Sequence, residues 1–261
     1  MRNPWIRATL LLGAMVGTAG AQWTNVPPLT APRTASGEVN MNAPTPRRTD
    51  GKPDLRGAWS PDDNRYLRDI GRDIQPEDFP FQPWSRALFD QRKDGSHSRE
   101  DPDAHCLPQR VPKIDSVAYP WKVIETPNSM VIIYETFNYW RQIFTDGREM
   151  DPAATPTWMG YSTGAWQGDD FVVHTRGFNG NAWLDQLGRP STERLHVIER
   201  FRRVNYGRLL LDITIDDPGA YTNPFTVTQE IHLRPGWEPW EFICNENNKD
   251  LEHLPGSPEV H

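Results

Sequence analysis

The sequence is poor in cysteine and has no cluster of basic residues. Both shortages exclude some classes of fold and function. Two cysteines among 261 residues exclude a disulfide-dense scaffold and a cysteine-rich zinc module. Twenty-eight basic residues against 35 acidic ones give a formal net charge of −7. An acidic chain of this kind is a poor match for nucleic acid or for an anionic membrane surface. We therefore expect neither as a partner.

The sequence also lacks the short motifs of nucleotide sites, serine hydrolases and zinc proteases. It contains no P-loop, no G-x-S-x-G elbow, no H-E-x-x-H pair and no G-x-G-x-x-G turn after a strand. Three histidines, His174, His196 and His232, fall on predicted strands, but their spacing does not bring any two together as metal ligands. We expect no metal site and no cofactor.

No apolar run is long enough to span a bilayer as a helix. The run over residues 8–18 follows Arg2 and Arg7 and precedes three small residues at 19–21. This order predicts a secretory signal peptide over residues 1–21, with an uncleaved anchor as the alternative. We expect a secreted or periplasmic protein that has no contact with the membrane once the signal is cleaved.

The two cysteines, Cys106 and Cys244, are far apart in the sequence. In an oxidising compartment two such thiols tend to pair, so we predict a disulfide between them. The alternative is a nucleophilic or metal-binding thiol, although the spacing matches no metal motif.

What the sequence does contain is a series of alternating apolar and polar runs after residue 120. The clearest covers Arg208 to Asp217, where Leu209, Leu211 and Ile213 alternate with polar residues. Eight runs predict strands: Trp121–Thr126, Met130–Thr136, Tyr139–Thr145, Gly160–Gln167, Phe171–Arg176, Glu193–Val204, Arg208–Asp217 and Thr226–Arg234. Short turns between them favour an all-β, antiparallel up-and-down barrel of the lipocalin type, with a sandwich as the alternative.

The rest of the chain is predicted to surround this barrel. Residues 22–56 are rich in proline and lack periodicity, which is typical of an extended tether. Residues 57–120 are broken by many prolines and are predicted to wrap the barrel, with one helix over Pro83–Arg92. The barrel domain spans residues 121–254 and ends in a short helix that begins at Asn245.

Glu199 is the anomaly of the predicted sheet, because it stands in the apolar face formed by Leu195, Val197 and Phe201. A carboxylate there is either paired with an arginine, for example Arg141, or acts as a general acid or base in a pocket. Glu135 ends the Val131–Ile133 face and is a second candidate, at the barrel rim. These three charged residues, Glu199, Arg141 and Glu135, are the predicted catalytic groups.

The long loop Gly177–Pro190 is the other candidate region. Its Trp183 suits stacking on a ring, and Asp185 and Asn179 suit hydrogen bonds to a ligand. The alternative is a cover over one end of the barrel, with Trp183 as its plug. Three further residues complete the predicted ligand-binding set, and for the aromatic ones a place in the core is the alternative. They are Trp158, Tyr161 and His174.

Several segments together resemble a large family of secreted bacterial all-β proteins. They are RTDGKPDLRGAW, YPWKVIETP, YETFNYWRQIFTDGRE, TWMGYSTGAWQGDDFVVHTRGFN, ERFRR, TIDDPGAYTNPFTV and CNENNKDLEH. The resemblance extends from about Arg48 to His253. It implies a compartment and an all-β fold, and it implies no activity and no catalytic residue.

These observations predict a barrel that houses one small organic molecule, a sugar or a phenolic compound. Charged residues on apolar faces favour cofactor-free acid–base chemistry of the lyase, isomerase or hydrolase type. Two alternatives remain, a non-catalytic binding protein and a structural or interaction module with a filled barrel.

Overall fold

The structure, a computed structural model, describes residues 28, 30–246 and 248–256. The predicted signal peptide, residues 1–21, and the first residues of the predicted tether lie outside the described residues. Among the helices of the described part, none is long and apolar enough to cross a membrane.

The described chain is organised around a closed barrel of nine strands that follow each other in sequence order. They are β1 (Gly57–Ser60), β2 (Trp121–Glu125), β3 (Ser129–Tyr134), β4 (Trp140–Phe144), β5 (Tyr161–Gln167), β6 (Asp170–Arg176), β7 (His196–Arg203), β8 (Arg208–Asp216) and β9 (Phe225–Leu233). All neighbours are antiparallel except β4 and β5, which are parallel. The all-β closed barrel is thus confirmed.

The barrel has nine strands and not the predicted eight. Its order is not purely up-and-down, because β4 and β5 are parallel. The ninth strand is β1, which lies in the segment predicted to be irregular and closes the barrel by pairing with both β2 and β9. The parallel pair arises because the connection over residues 145–160 returns along the barrel before β5 begins. A strand of four residues among prolines carries too little alternation to be visible in the sequence.

The interior of the barrel is filled by the inward side chains that the alternation predicts. On β8, Leu209, Leu211, Ile213 and Ile215 are all buried, and the residues between them are partly exposed. Burying such side chains contributes about 1.5–3 kcal/mol each, which makes the face of β8 a main source of stability.

The segment between β1 and β2 covers one end of the barrel. It contains the short helix α1 (Arg65–Arg68) and the predicted helix α2 (Pro83–Arg92), whose Pro83 occupies the first turn. Phe79 packs against Phe225 of β9, with ring centroids 4.8 Å apart. Three single 3-10 turns follow, Ser98–Glu100, Pro102–His105 and Ile114–Ser116. The last of these is completely buried.

The C-terminal segment is held to this cover by the predicted disulfide, Cys106–Cys244, which is present. The predicted final helix is reduced to one 3-10 turn, Asp250–Glu252. A further 3-10 turn, Thr136–Asn138, joins β3 to β4.

Candidate functional site

The centre of the barrel holds an ion pair between Arg141 of β4 and Glu199 of β7. Both side chains point inward because each alternates with outward neighbours, and both are buried, Glu199 with 0% of its surface exposed. The guanidinium donates to both carboxylate oxygens, with 2.9 Å between Nη1 and Oε1. Its remaining donors reach Ser162 Oγ at 2.9 Å and Thr175 Oγ1 at 2.6 Å. The pairing that the sequence suggested is therefore formed.

A second carboxyl group, Asp115, joins this pair from the buried 3-10 turn. Tyr134 of β3 donates to its Oδ1 at 2.7 Å. Burial raises the pKa of Asp115 well above its usual range, and the charge of Glu199 within hydrogen-bonding reach raises it further, while Arg141 opposes the shift. The folded environment therefore favours the protonated form of Asp115. No feature of the sequence marks Asp115, because only the folded cover brings it to the barrel centre.

The number of charged groups in this cluster explains why Asp115 favours its protonated form. Two carboxyl groups face one guanidinium in an interior where an unpaired charge is costly. One proton on Asp115 leaves a neutral acid beside a matched ion pair. Among the described residues, Asp115 Oδ2 has no hydrogen-bond donor that would stabilise a negative charge on it, which favours the protonated acid. The pKa of Tyr134 is also raised well above its usual range, by burial first and then by Asp115.

Glu135 lies outside this cluster. It follows β3 on the outer face, after Val131 and Ile133, and its Oε2 accepts from the backbone N–H of Trp240 at 3.1 Å. The structure therefore separates Glu135 from Glu199, and Glu135 holds the C-terminal segment to the barrel wall.

The loop Gly177–Pro190 forms part of the cover. Trp183 is buried beneath the guanidinium of Arg92, 4.4 Å from the ring centroid. Asp185 is buried, pairs with Arg189 and accepts from Ile70 N–H at 3.0 Å. Burial raises its pKa, and Arg189 opposes that shift.

Asn179, in the same loop, accepts from the N–H of Asn181 at 3.2 Å. Trp183 and Asp185 thus contact the segment between β1 and β2, Asn179 contacts its own loop, and none of these contacts involves Arg141 or Glu199.

A cleft opens on the barrel wall where β4 and β5 meet. Only two residue pairs join these strands, against eight between β7 and β8. The cleft has a volume of about 350 Å³. Its lining is aromatic, with Trp140, Phe144 and Tyr161, and it includes the buried Arg141 and Ser162. Trp158 is half-buried in the bend before β5.

A second cavity, of about 440 Å³, lies on the other side of Tyr161 and contains His174. Two of the predicted ligand-binding residues, Tyr161 and His174, therefore line one surface depression. His174 is hydrogen-bonded to His196, with 3.0 Å between Nδ1 and Nε2.

The cover contains another buried ionic cluster that sequence reasoning missed. Lys113 is buried and contacts the carboxylates of both Asp101 and Asp103. Burial raises the pKa of Asp101 to about 7, although the charge of Lys113 opposes the shift. The cluster ties the cover together below its 3-10 turns.

Within the described residues, no group of three histidine, cysteine, aspartate or glutamate side chains is arranged to hold a metal ion. No family model matches the chain, and neither a curated protein nor a solved structure matches it.

Proposed function

We propose that the protein binds a small phenolic or sugar molecule at the cleft between β4 and β5 and acts on it by cofactor-free acid–base chemistry. Asp115 supplies the proton, and the resulting carboxylate takes one back to close the cycle. Glu199 and Arg141 set the charge around Asp115. The reaction class is elimination, isomerisation or hydrolysis, each of which needs a proton donor and acceptor.

The observation that carries this proposal is the buried Asp115–Glu199 pair with a single guanidinium. Pairs of acids held at different protonation states by their surroundings are typical of acid–base sites. Two inward groups also have unused hydrogen-bonding capacity within the described residues, Trp121 Nε1 and Gln229 Oε1. Such groups are uncommon, because buried polar atoms normally have partners, and they make this interior more polar than a purely structural core.

Access to the pair is proposed to run through the β4–β5 junction. Two residue pairs hold these strands together, as few as between β1 and β9, and the pairing of β4 and β5 is parallel, so this is a part of the wall that opens at low cost. Trp140 is 64% exposed at its mouth, and Tyr161 forms the opposite wall. Aromatic walls of this kind suit the faces of phenolic rings and sugars.

A second candidate function is lipocalin-like binding without turnover. The observation that favours it is the full burial of Glu199 in a two-pronged pair with Arg141. In that case the pair stabilises the barrel, and the cleft alone serves the ligand.

The two functions are separated by Asp115→Asn, which preserves the shape and neutrality of a protonated acid. A panel of phenolic compounds and sugars is incubated with the wild type and followed by proton NMR for new products. Acid–base catalysis predicts that any turnover is lost in Asp115→Asn, with ligand affinity and folding retained. Asp212→Asn, on the outer face of β8, is the matched control and keeps turnover.

If Asp115→Asn turns over a substrate at the wild-type rate, the acid–base proposal is wrong. If the wild type binds a compound in the cleft and converts no member of the panel, the binding function replaces it.

We also propose that the protein is exported and that Cys106 and Cys244 pair in the oxidising compartment it reaches. The predicted signal peptide and the disulfide support this together. N-terminal sequencing of the protein from the native host tests it. A mature N-terminus near residue 22 is expected, and a chain that retains residues 1–21 in the cytoplasm contradicts the proposal.

A further inference from the structure

The outer wall of the barrel carries a chain of three hydrogen-bonded basic side chains. Arg176 lies opposite Tyr161 of β5, and its Nη2 donates to His196 Nδ1 at 3.1 Å. His196 Nε2 then lies 3.0 Å from His174 Nδ1. A guanidinium can only donate hydrogen bonds, so Nδ1 of His196 must accept one from Arg176. Nε2 of His196 must then carry the hydrogen and donate to Nδ1 of His174. His174 is left with a donor N–H on Nε2.

The chain thus consists of one cation and two neutral imidazoles. Burial and then the charge of Arg176 lower the pKa of His196 to about 4. The same two causes lower the pKa of His174. A neutral imidazole with a fixed tautomer presents a hydrogen-bond donor without adding a charge.

Arg176 differs from other arginines on the outer wall because it faces a histidine and not a carboxylate. Arg200 pairs with Asp170 at 3.0 Å, and Arg202 pairs with Asp212 at 2.9 Å. No carboxylate among the described residues lies within salt-bridge distance of Arg176. Its positive charge and most of its donors are therefore available to an anion, and a planar guanidinium is suited to a carboxylate.

The cavity above Arg176 supplies the rest of a binding site. Its volume is about 440 Å³, within the range of small-molecule sites. Met150 and Pro152 come from the connection between β4 and β5, and with Tyr161 they form an apolar surface. This connection packs closely against Gly177, because a Cβ added at Gly177 would lie 2.8 Å from Met150 Sδ. Glu149 and Thr163 complete the lining.

We propose that this outer cavity is a binding site for a small hydroxylated aromatic carboxylate. The ligand carboxylate lies against the Arg176 guanidinium and the Nε2 proton of His174. Its ring packs on Tyr161, Met150 and Pro152. The hydroxyl of the ligand donates to Glu149, the negatively charged hydrogen-bond acceptor in the lining of this cavity. The charge of Glu149 also disfavours a ligand with a second carboxylate.

This site goes beyond the proposed function, because it lies on the outer face of the barrel and needs neither Asp115 nor Glu199. It is tested by binding alone, so its failure is distinguishable from a failure of the acid–base proposal, which is tested by turnover in Asp115→Asn.

The test uses 4-hydroxybenzoate as the probe, with the full mature protein, and follows the imidazole nitrogens of His174 and His196 by NMR during titration. Saturable shifts of both rings are expected. Two matched compounds separate the contacts: 4-hydroxybenzamide lacks the negative charge, and benzoate lacks the hydroxyl. We expect both to bind more weakly, the amide by about tenfold or more.

Two variants complete the design. Arg176→Gln is expected to weaken 4-hydroxybenzoate binding by about tenfold or more. Arg200→Gln, on the neighbouring strand, removes an outer-wall arginine of the same charge and is expected to leave binding unchanged. Circular dichroism confirms that both variants are folded.

The proposal is overturned if 4-hydroxybenzoate produces no saturable shift of either ring at millimolar concentration. It is equally overturned if Arg176→Gln and Arg200→Gln bind the probe alike, since the anion would then be held by net charge and not by this site. If Arg176→Gln does not fold, His174→Gln replaces it in the comparison with Arg200→Gln. His174→Gln retains Arg176 and is expected to bind 4-hydroxybenzoate severalfold more weakly than the wild type.

Discussion

At the scale of single residues, Asp115 and Glu199 differ in what each contributes, although they are neighbours. Glu199 balances the charge of Arg141, whereas the surroundings of Asp115 favour its protonated form. Removing the negative charge of Glu199 leaves a buried guanidinium without its counter-ion. Replacing Asp115 by asparagine puts a neutral amide in place of a neutral, protonated carboxyl group.

We therefore predict that Glu199→Gln lowers the free energy of unfolding by on the order of 3–5 kcal/mol. Asp115→Asn is predicted to lower it by about 1 kcal/mol or less near neutral pH, since one hydrogen bond is rearranged. Urea denaturation of the two variants beside the wild type measures both values. Equal losses would show that both carboxyl groups are ionised in the folded protein.

His196 gives a prediction for the effect of pH on stability. Its folded pKa of about 4 lies below the ordinary 6.5, because of burial and the charge of Arg176, with His174 adding to the shift and Asp216 opposing it. Between these pH values the unfolded chain binds the extra proton, so stability is lost as the pH falls from about 6.5 to about 4.

The measurement is the difference in unfolding free energy between the wild type and His196→Gln across this pH range. The advantage of the wild type should shrink as the pH falls. A difference that is constant with pH would mean that His196 titrates alike in both states.

Residue by residue, the sequence reveals a site only where a side chain breaks a local pattern. Glu199 stands out because it interrupts an apolar face, and Arg141 can be named as its partner. Asp115 interrupts nothing, since it lies in a proline-rich segment without periodicity. Its environment is created by Tyr134, 19 residues further along the chain, and by Glu199 on another strand, so no local signal could identify it.

At the scale of secondary-structure elements, the junction of β4 and β5 is, together with the junction of β1 and β9, among the weakest parts of the barrel wall. The two strands share two residue pairs, and parallel pairing is slightly less stable per residue than antiparallel pairing. Local opening is expected at such a place before it occurs elsewhere in the sheet.

Native-state hydrogen exchange tests this expectation. The amides of the two β4–β5 pairs, Ile143 with Ser162 and Phe144 with Thr163, are predicted to exchange faster than those of β7 and β8, which share eight residue pairs. Equal protection of the two regions would remove the proposed access route to Asp115.

The elements themselves are largely predictable, because alternation with period two follows directly from burial on one face of a sheet. The helix over Pro83–Arg92 is also predictable from its proline at the first turn. The closure of the barrel is not, since β1 is too short to show alternation. The parallel pair is equally hidden, because strand direction depends on the path of residues 145–160 and not on the strand sequences.

At the scale of the whole molecule, the Cys106–Cys244 bridge joins the cover to the C-terminal segment over a sequence separation of 138 residues. Closing so long a loop restricts the unfolded chain. We predict that replacing both cysteines by serine lowers the free energy of unfolding by up to about 4–5 kcal/mol.

Urea denaturation under oxidising and reducing conditions checks this value. A reductant should shift the unfolding midpoint of the wild type toward that of the double variant and leave the variant itself unchanged. An unchanged midpoint in the double variant would mean that the bridge adds nothing to stability.

The account as a whole depends on the proton that the folded barrel keeps on Asp115. Carbon-13 NMR of aspartate labelled at the carboxyl carbon measures it directly, with the Asp115 signal assigned by its loss in Asp115→Asn. Near neutral pH the account predicts the chemical shift of a protonated acid. The shift of an ionised carboxylate at that pH would contradict it.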